Sequence, residues 1–240
     1  HVYAMIITRF NETVGTSVKM VYGVQHVITY LLKKALNKFG EPAKLSANKE
    51  MQQMLDRKCF EPIQKADLNN IEKQRAMESL LFLNEKRDGT IKSRFCANGS
   101  TQRGYMEREE VASPTVSTKS TLLTGVIEAE EDREVATCDI PNAFVQTEVS
   151  KKDREGHRTI MKIRGALANL LCDLDPSYTE FVVYEGKRGD IPVLYVHVLM
   201  AIYGMLISAI LFYKKLVADL EAYGFAVNPY NPCVANKIVN

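Results

Sequence analysis

The stretch Val135-Ala136-Thr137-Cys138-Asp139-Ile140-Pro141-Asn142-Ala143-Phe144 carries two signals in succession. Val135, Thr137 and Asp139 alternate with Ala136, Cys138 and Ile140, which is the period of a β-strand. Pro141 ends such a strand, because it fixes φ and lacks an N–H, and it suits the start of a following turn or helix. The pattern predicts a carboxylate, Asp139, at the C-terminal tip of a mostly apolar strand. A carboxylate there can cap the next turn by accepting from its amides. It can equally serve as a hard oxygen ligand for a metal ion. Spacing alone leaves both open.

Upstream, Leu80–Arg87, Asp88-Gly89 and Thr90–Ala97 predict a β-hairpin, with Asp-Gly supplying the positive φ angles of a type I′ turn. Lys92 and Arg94 then project from one face of their strand, with Lys86 and Arg87 beside the turn. Cations in that arrangement suit a polyphosphate. They also suit a solvated edge strand protected by charge.

Farther upstream, Ser46–Lys58 reads as an amphipathic helix with Ala47, Met51, Met54 and Leu55 on one face. Phe60-Glu61-Pro62-Ile63 breaks it, and Asp67 is placed to cap a helix running to about Glu78. Residues 1–45 read as a linker or the end of a preceding region. Within them Val2–Ile7 has a strand pattern and Val18–Leu36 a helical one, stopped near Gly40-Glu41-Pro42.

Residues 99–116 read as loop, where Gln102, Arg103 and Arg108 meet either nucleic-acid backbone or water. A helix opens at Ser117 or Thr118 and runs to about Glu131, with Leu122, Leu123, Val126 and Ile127 turned inward. Downstream, Ser150–Arg158 is a charged loop and Thr159–Ile163 a strand. Gly165–Leu174 is a short helix, and Phe181–Tyr184 and Pro192–Val198 are strands. Val198–Tyr213 carries no charge, yet it is shorter than the roughly 20 residues of a membrane span and reads as a buried core helix. That helix continues to Tyr223 and ends at Gly224. Phe225–Val227 and Cys233–Val239 close the pattern as strands around Asn228-Pro229-Tyr230-Asn231-Pro232.

Composition sets bounds on this pattern. A chain of 240 residues makes one large or two small domains, and 46% hydrophobic with 25% charged residues is ordinary globular protein. The net charge of +2 gives no overall basic signal, so any polynucleotide contact must come from local clusters. The five cysteines are scattered, without a C-x-x-C pair, which argues for free thiols in a reducing compartment. The four histidines lack ligand spacing. A P-loop, G-x-S-x-G and H-E-x-x-H are all absent, so kinase, hydrolase and metalloprotease readings have no support. No signal-peptide pattern opens the chain, and a first residue of His rather than Met reads as a segment of a longer polypeptide.

Several short motifs occur in order. They are Lys92-x-Arg94-x-x-Ala97-x-Gly99, Gln102-Arg103, Ser113-Pro114-Thr115-Val116, Asp139-x-x-Asn142-Ala143-Phe144 and Ala201-Ile202-Tyr203-Gly204-Met205. Together they resemble the reverse transcriptase, an RNA-directed DNA polymerase, of copia-type LTR retrotransposons. The resemblance runs from about Lys49 to the end of the chain. It implies an α+β right-hand polymerase fold, with fingers over residues 46–116 and an incomplete palm over 117–240, its antiparallel sheet packed on helices.

The resemblance also implies chemistry. Two-metal nucleotidyl transfer uses Mg²⁺, for which Mn²⁺ can substitute, between a primer hydroxyl and a nucleotide α-phosphate. Asp139 and the main-chain carbonyl of Ile140 fall at the ligand positions. Lys92 and Arg94 become the triphosphate candidates, with Lys86 a weaker one. Asn142, Ala143 and Phe144 line the nucleotide position; from the residues alone Phe144 reads as core packing, and with the motif register matched it reads as the aromatic that excludes a 2′-hydroxyl. Gln102 and Arg103 become candidate template contacts. The implied partners are an RNA or DNA template-primer, deoxynucleoside triphosphates, and the integrase and RNase H regions of the same polyprotein. No membrane is implied, and the implied setting is intracellular, in a cytoplasmic virus-like particle or the nucleus.

Two departures stand against this. The family's Asp-Asp pair has no counterpart, since no Asp-Asp dipeptide occurs and the chain reads as stopping just short of it. The family's Tyr-Gly-Leu-x-Gln reads Tyr203-Gly204-Met205-Leu206-Ile207, with an aliphatic side chain where an amide is expected. Two functions therefore follow from the sequence. One is a polymerase segment; the other is an inactive remnant that serves as a binding or interaction domain.

Overall fold

The computed structural model describes residues 29–238. The expected Val2–Ile7 strand and the first part of the expected Val18–Leu36 helix lie outside the described residues. Strand β1 (Thr29–Leu31) leads into α1 (Leu32–Phe39), and α2 (Glu41–Asp56) follows directly. The first helix stops at Phe39 with Gly40 as its C-cap, as expected, and the same Gly40-Glu41-Pro42 segment is also the corner that opens the next helix. Gly40 takes a φ of 58°, and Pro42 sits in the first turn of α2, where a missing N–H costs nothing. Leu32, Ala35 and Ala43 are buried in the main core, so residues 29–45 belong to the fold and are not a linker.

The remaining elements follow in chain order. They begin with β2 (Phe60–Ile63), α3 (Asn70–Arg75), β3 (Met77–Glu85), β4 (Ile91–Asn98), α4 (Arg108–Val111) and α5 (Thr118–Glu130). They continue with β5 (Ile160–Arg164), α6 (Ala166–Leu174), β6 (Val183–Glu185), β7 (Ile191–Val198), α7 (Ser208–Ala222), β8 (Ala226–Asn228) and β9 (Asn231–Asn236).

Strands β1–β7 form one sheet. Strand β3 has β4 along one edge and shares its other edge between β1 and β5. Strand β7 lies beyond β5, and β2 and β6 share the far edge. Among the described strand pairs only β3–β5 is parallel. The sheet thus takes β1–β4 from one side of residue 117 and β5–β7 from the other, so the expected division at that residue does not separate two sheets.

Strand β7 is interior to the sheet, and both of its faces are buried. Leu194, Val196 and Val198 point to one side, and Val193, Tyr195 and His197 to the other; all are at most 6% exposed. Helices α1, α2 and α6 cover the first side. Ala43, Ala47, Met51 and Met54 form the buried stripe of α2, and the two alanines let it approach the sheet closely. A smaller core of Leu68, Ala76, Ile160, Val193 and Tyr195 closes part of the second side. Beside it, Glu72 is buried and accepts two hydrogen bonds from the Arg158 guanidinium, at 2.8 and 2.9 Å. That pairing holds the Glu72 carboxyl down at about 2.

Several sequence expectations are corrected. The helix expected from Asp67 to Glu78 is a short 3-10 turn and then α3, because Asn69 and Glu72 make a reciprocal capping box and Met77 enters β3. Val198–Tyr213 is not one buried helix. It is a strand end, a turn containing Gly204 (φ 90°), and the start of a half-buried α7. Helix α5 forms where expected with Ser117 as its cap, but Leu122, Leu123 and Val126 are 61–66% exposed instead of facing a core. Residues 133–140 form no strand and are exposed throughout, although the alternation is real. A strand needs a partner edge, and none of the described strands lies alongside. Among the described residues no helix is long and apolar enough to cross a membrane. All five cysteines are free, as their scatter suggested, and burial pushes the Cys59 and Cys96 thiols up to about 12 and about 11.

Candidate active site

The β3–β4 hairpin is present with the expected strands but a different turn. The N–H of Lys86 donates to Thr90 O at 2.8 Å and that of Gly89 to Lys86 O at 2.9 Å, so Arg87, Asp88 and Gly89 together form the loop. Gly89 alone takes a positive φ, 79°, so this is not a type I′ turn. The reason is local: the Asp88 carboxylate accepts from the Thr90 N–H at 2.9 Å and hydroxyl at 2.6 Å, which ties it into the loop. The same bonds hold the Asp88 carboxyl below its usual value.

Lys92 and Arg94 are exposed on one face of β4, opposite Asn84 and Phe82 of β3. Ser93, Phe95 and Ala97 alternate to the other, buried side. There Ser93 Oγ donates to Ser46 Oγ at 2.8 Å, and the Phe95 N–H donates to Glu50 Oε1 at 2.9 Å. Helix α2 thereby occupies part of the outer edge of β4. Burial raises the Glu50 carboxyl, against the Phe95 N–H and the charges of Arg94 and Lys92.

A cleft of about 1210 Å³ opens on the exposed face, lined by Tyr30, Lys38, Phe82, Lys86, Lys92, Arg94 and their neighbours. Lys38 is already engaged: its ammonium donates to the Tyr30 hydroxyl at 2.6 Å and sits over the Phe39 ring. The ion pairs of the described residues use other cations, among them Lys65, Arg75, Arg158 and Arg164. Lys92 and Arg94 are left without a carboxylate partner among the described residues. Two unpaired cations facing open volume favour an anionic ligand with several oxygens.

The C-terminal end of β4 meets a segment a hundred residues downstream. The Ala97 N–H donates to Tyr203 O at 2.7 Å, and the Gly99 N–H donates to Gly204 O at 3.1 Å. A Cβ on Gly204 would collide with the Ala97 carbonyl oxygen, and a Cβ on Gly99 with the Gly204 oxygen. Both glycines are required by this close backbone approach. Tyr203 is thereby placed with its ring centroid 4.9 Å from the Arg94 guanidinium carbon and 4.6 Å from the Phe144 ring. Phe144 in turn meets Phe212 of α7 at 6.1 Å, edge to face.

Phe144 is half-buried against the main core and opens a short 3-10 turn, Phe144–Gln146. Asn142 takes a φ of 53° and donates from Nδ2 to Gln53 Oε1 at 3.3 Å, so its side chain ties the turn to α2. Ala143 is half-buried. The Gln146 amide donates to Pro141 O at 2.8 Å and closes the loop. Asp139 and Ile140 are exposed just before this turn, and neither Asp139 nor Phe144 lines the cleft of Lys92 and Arg94.

Among the described residues no three His, Cys, Asp or Glu side chains come together as a metal site. Asp139 therefore contributes one carboxylate, and with the Ile140 carbonyl this donor set does not by itself fit a pair of divalent ions.

Gln102 is a correction. It is fully buried, and its Oε1 accepts from the Leu206 N–H at 2.7 Å, so it braces the Tyr203–Leu206 turn and cannot reach a template. Arg103 is exposed beside it. Tyr203 and Phe212 join the site without having been singled out for it. The Tyr-Gly pair was visible as part of a motif, but nothing in the sequence says that it lies against Ala97 and Gly99.

No known family profile matches the chain, and no solved structure matches it. Curated relatives do. Over 105 residues, 44% of the chain, it is 26% identical to the Transposon Ty1-DR4 Gag-Pol polyprotein and equally to the Transposon Ty1-DR6 Gag-Pol polyprotein, both of Saccharomyces cerevisiae. The match covers 6% of the length of each. Part of the chain is thus similar to a segment of a retrotransposon polyprotein.

Proposed function

We propose that this chain is the nucleotide-binding part of a copia-type reverse transcriptase, with deoxynucleoside triphosphates and a template-primer as its ligands. The observation that carries the reading is the meeting of dispersed motifs at one place. Arg94 and Ala97 of the hairpin strand with Gly99 just after it, Phe144, and Tyr203-Gly204 come from three separate parts of the sequence, and the first two parts both contact the third. A chance string of short motifs has no reason to converge. The similarity to Gag-Pol polyproteins supports the same reading from a different direction.

In this reading the seven-stranded sheet with its helices is the fingers lobe of a right-hand polymerase. Helices α5 and α7 with the β8–β9 hairpin belong to the palm, and the chain passes between the two lobes more than once. Lys92 and Arg94 hold the triphosphate by charge-assisted hydrogen bonds, and Phe144 lies beneath the sugar. Asp139 and the Ile140 carbonyl are the positions that, in this reading, would offer hard oxygen ligands to one divalent ion.

The test is equilibrium binding of a deoxynucleoside triphosphate to the 240-residue chain at low salt. Arg94→Ala and Lys92→Ala should each weaken binding about tenfold or more, as expected for a charge-assisted contact. Unchanged affinity in both variants would overturn the assignment.

A second reading, an inactive remnant that only binds, is favoured by one observation. Ile207 stands where the family carries an amide. Binding without templated synthesis by the chain continued through its downstream reading frame would favour that second reading.

A further inference from the structure

We infer that Tyr203 is a positioning residue for Arg94: its ring preorganises the guanidinium that faces the basic cleft. The inference rests on the triphosphate reading of that cleft, and its geometry is independent of it. The Arg94 guanidinium carbon lies 4.9 Å from the Tyr203 ring centroid, within cation–π range. An arginine on an exposed strand face otherwise samples many rotamers, and binding an anion must then pay for fixing it.

The ring is itself held from behind. Phe144 packs against it at 4.6 Å with the planes 49° apart, and Phe212 backs Phe144. The main chain beneath is fixed to the strand that carries Arg94, through Ala97 N–H to Tyr203 O at 2.7 Å and Gly99 N–H to Gly204 O at 3.1 Å. Ring and guanidinium are thus tied to one another twice, through the backbone and through the side chains. The hydroxyl of Tyr203 takes no part in this, so a phenyl ring should serve as well.

The experiment measures binding of inorganic tripolyphosphate to the 240-residue chain, which isolates the anion contact from sugar and base. Tyr203→Leu should bind about two- to five-fold more weakly, the range of an exposed cation–π contact, and Tyr203→Phe should bind like the parent. In an Arg94→Ala background Tyr203→Leu should have no further effect. Equal loss in both backgrounds, or no loss in either, would overturn the inference.

If Arg94→Ala alone leaves tripolyphosphate binding unchanged, the triphosphate reading fails, and a ligand-free readout still decides the positioning role. The Arg94 side-chain N–H resonance should carry a ring-current shift that Tyr203→Leu removes and Tyr203→Phe keeps. Its insensitivity to Tyr203→Leu would overturn the inference in any background. Should Tyr203→Leu fail to fold, Arg94→Lys supplies the comparison from the other side, since it keeps the charge and loses the planar group that lies against the ring. That variant should bind tripolyphosphate more weakly than the parent, and full affinity would overturn the inference.

Discussion

At the scale of single residues, two glycines separate conformation from space. Gly89 and Gly204 both have positive φ, 79° and 90°. A Cβ at Gly89 meets nothing within 4 Å, whereas one at Gly204 strikes the Ala97 carbonyl. Gly89→Ala should therefore cost about 1 kcal/mol, the strain of a left-handed alanine. Gly204→Ala adds a steric clash with backbone that cannot yield and should cost about 3 kcal/mol or more, or prevent folding. Urea denaturation of the two variants checks the order, and equal losses would show that the backbone at Ala97 yields to a Cβ on Gly204. Glu72 gives a pH dependence. Its carboxyl sits at about 2 in the folded chain against a reference of 4.5, mainly through the Arg158 hydrogen bonds. A depressed carboxyl stabilises the fold fully above about 4.5, and that contribution fades as the pH falls toward about 2. Its size is on the order of 3 kcal/mol. The stability gap between the parent and Glu72→Gln should thus be widest near neutrality and close between about pH 5 and 2. A gap independent of pH would mean that Glu72 is held by packing and not by charge.

At the scale of elements, local chemistry was legible wherever it acts within a few residues. The hairpin strands, the Ser117 cap, the Gly224 stop and the Ala166–Leu174 helix all follow from turn and cap residues or short periods. The turn type was not, because Asp-Gly is read by its glycine while Asp88 is decided by its bonds to Thr90. Helix α5 shows what periodicity leaves out. Leu122, Leu123, Val126 and Ile127 do mark an apolar side, but the pattern says nothing about what lies against it, and the described residues leave it bare. The same holds for Val135–Ile140, whose alternation states a capacity to pair and not a partner. Substitution tests this directly. Leu122→Ser with Leu123→Ser should change the stability of the chain by no more than about 0.5 kcal/mol per site, as at other exposed positions. Met51→Ala, at a fully buried position on α2, should cost about 2–5 kcal/mol. A large loss from the α5 pair, seen by thermal or urea denaturation, would show that its apolar side is covered in the free chain.

At the scale of the whole molecule, the sheet is assembled from strands far apart in sequence, and that is where legibility ended. The expected division at residue 117 followed the order of motifs along the chain, whereas β3 pairs with β5 across it and Gly99 with Gly204. The proposed site has the same character: each residue was visible singly, and the Arg94–Tyr203–Phe144 contact was not. This arrangement also sets what the chain can do alone. The cations that line its cleft and its aromatic stack are assembled, so under the proposed reading triphosphate binding should be measurable and should weaken as added salt screens the exposed charges. Its carboxylates are not assembled, since Asp139 stands exposed with no cluster of three potential metal-binding side chains among the described residues. A centre with two divalent ions about 3.5–4 Å apart concentrates four positive charges and needs more anionic oxygen than one side chain supplies. Residues 1–240 should therefore bind nucleotide without extending a primer, in Mg²⁺ or in Mn²⁺. Primer extension on RNA and DNA templates is the measurement, run beside a version continued through the downstream reading frame. Templated synthesis by the 240-residue chain, lost in Asp139→Asn, would mean that another acid reaches Asp139 in solution and completes the site. Synthesis only by the longer version, again lost in Asp139→Asn, would place Asp139 in a centre to which both parts of the polypeptide contribute.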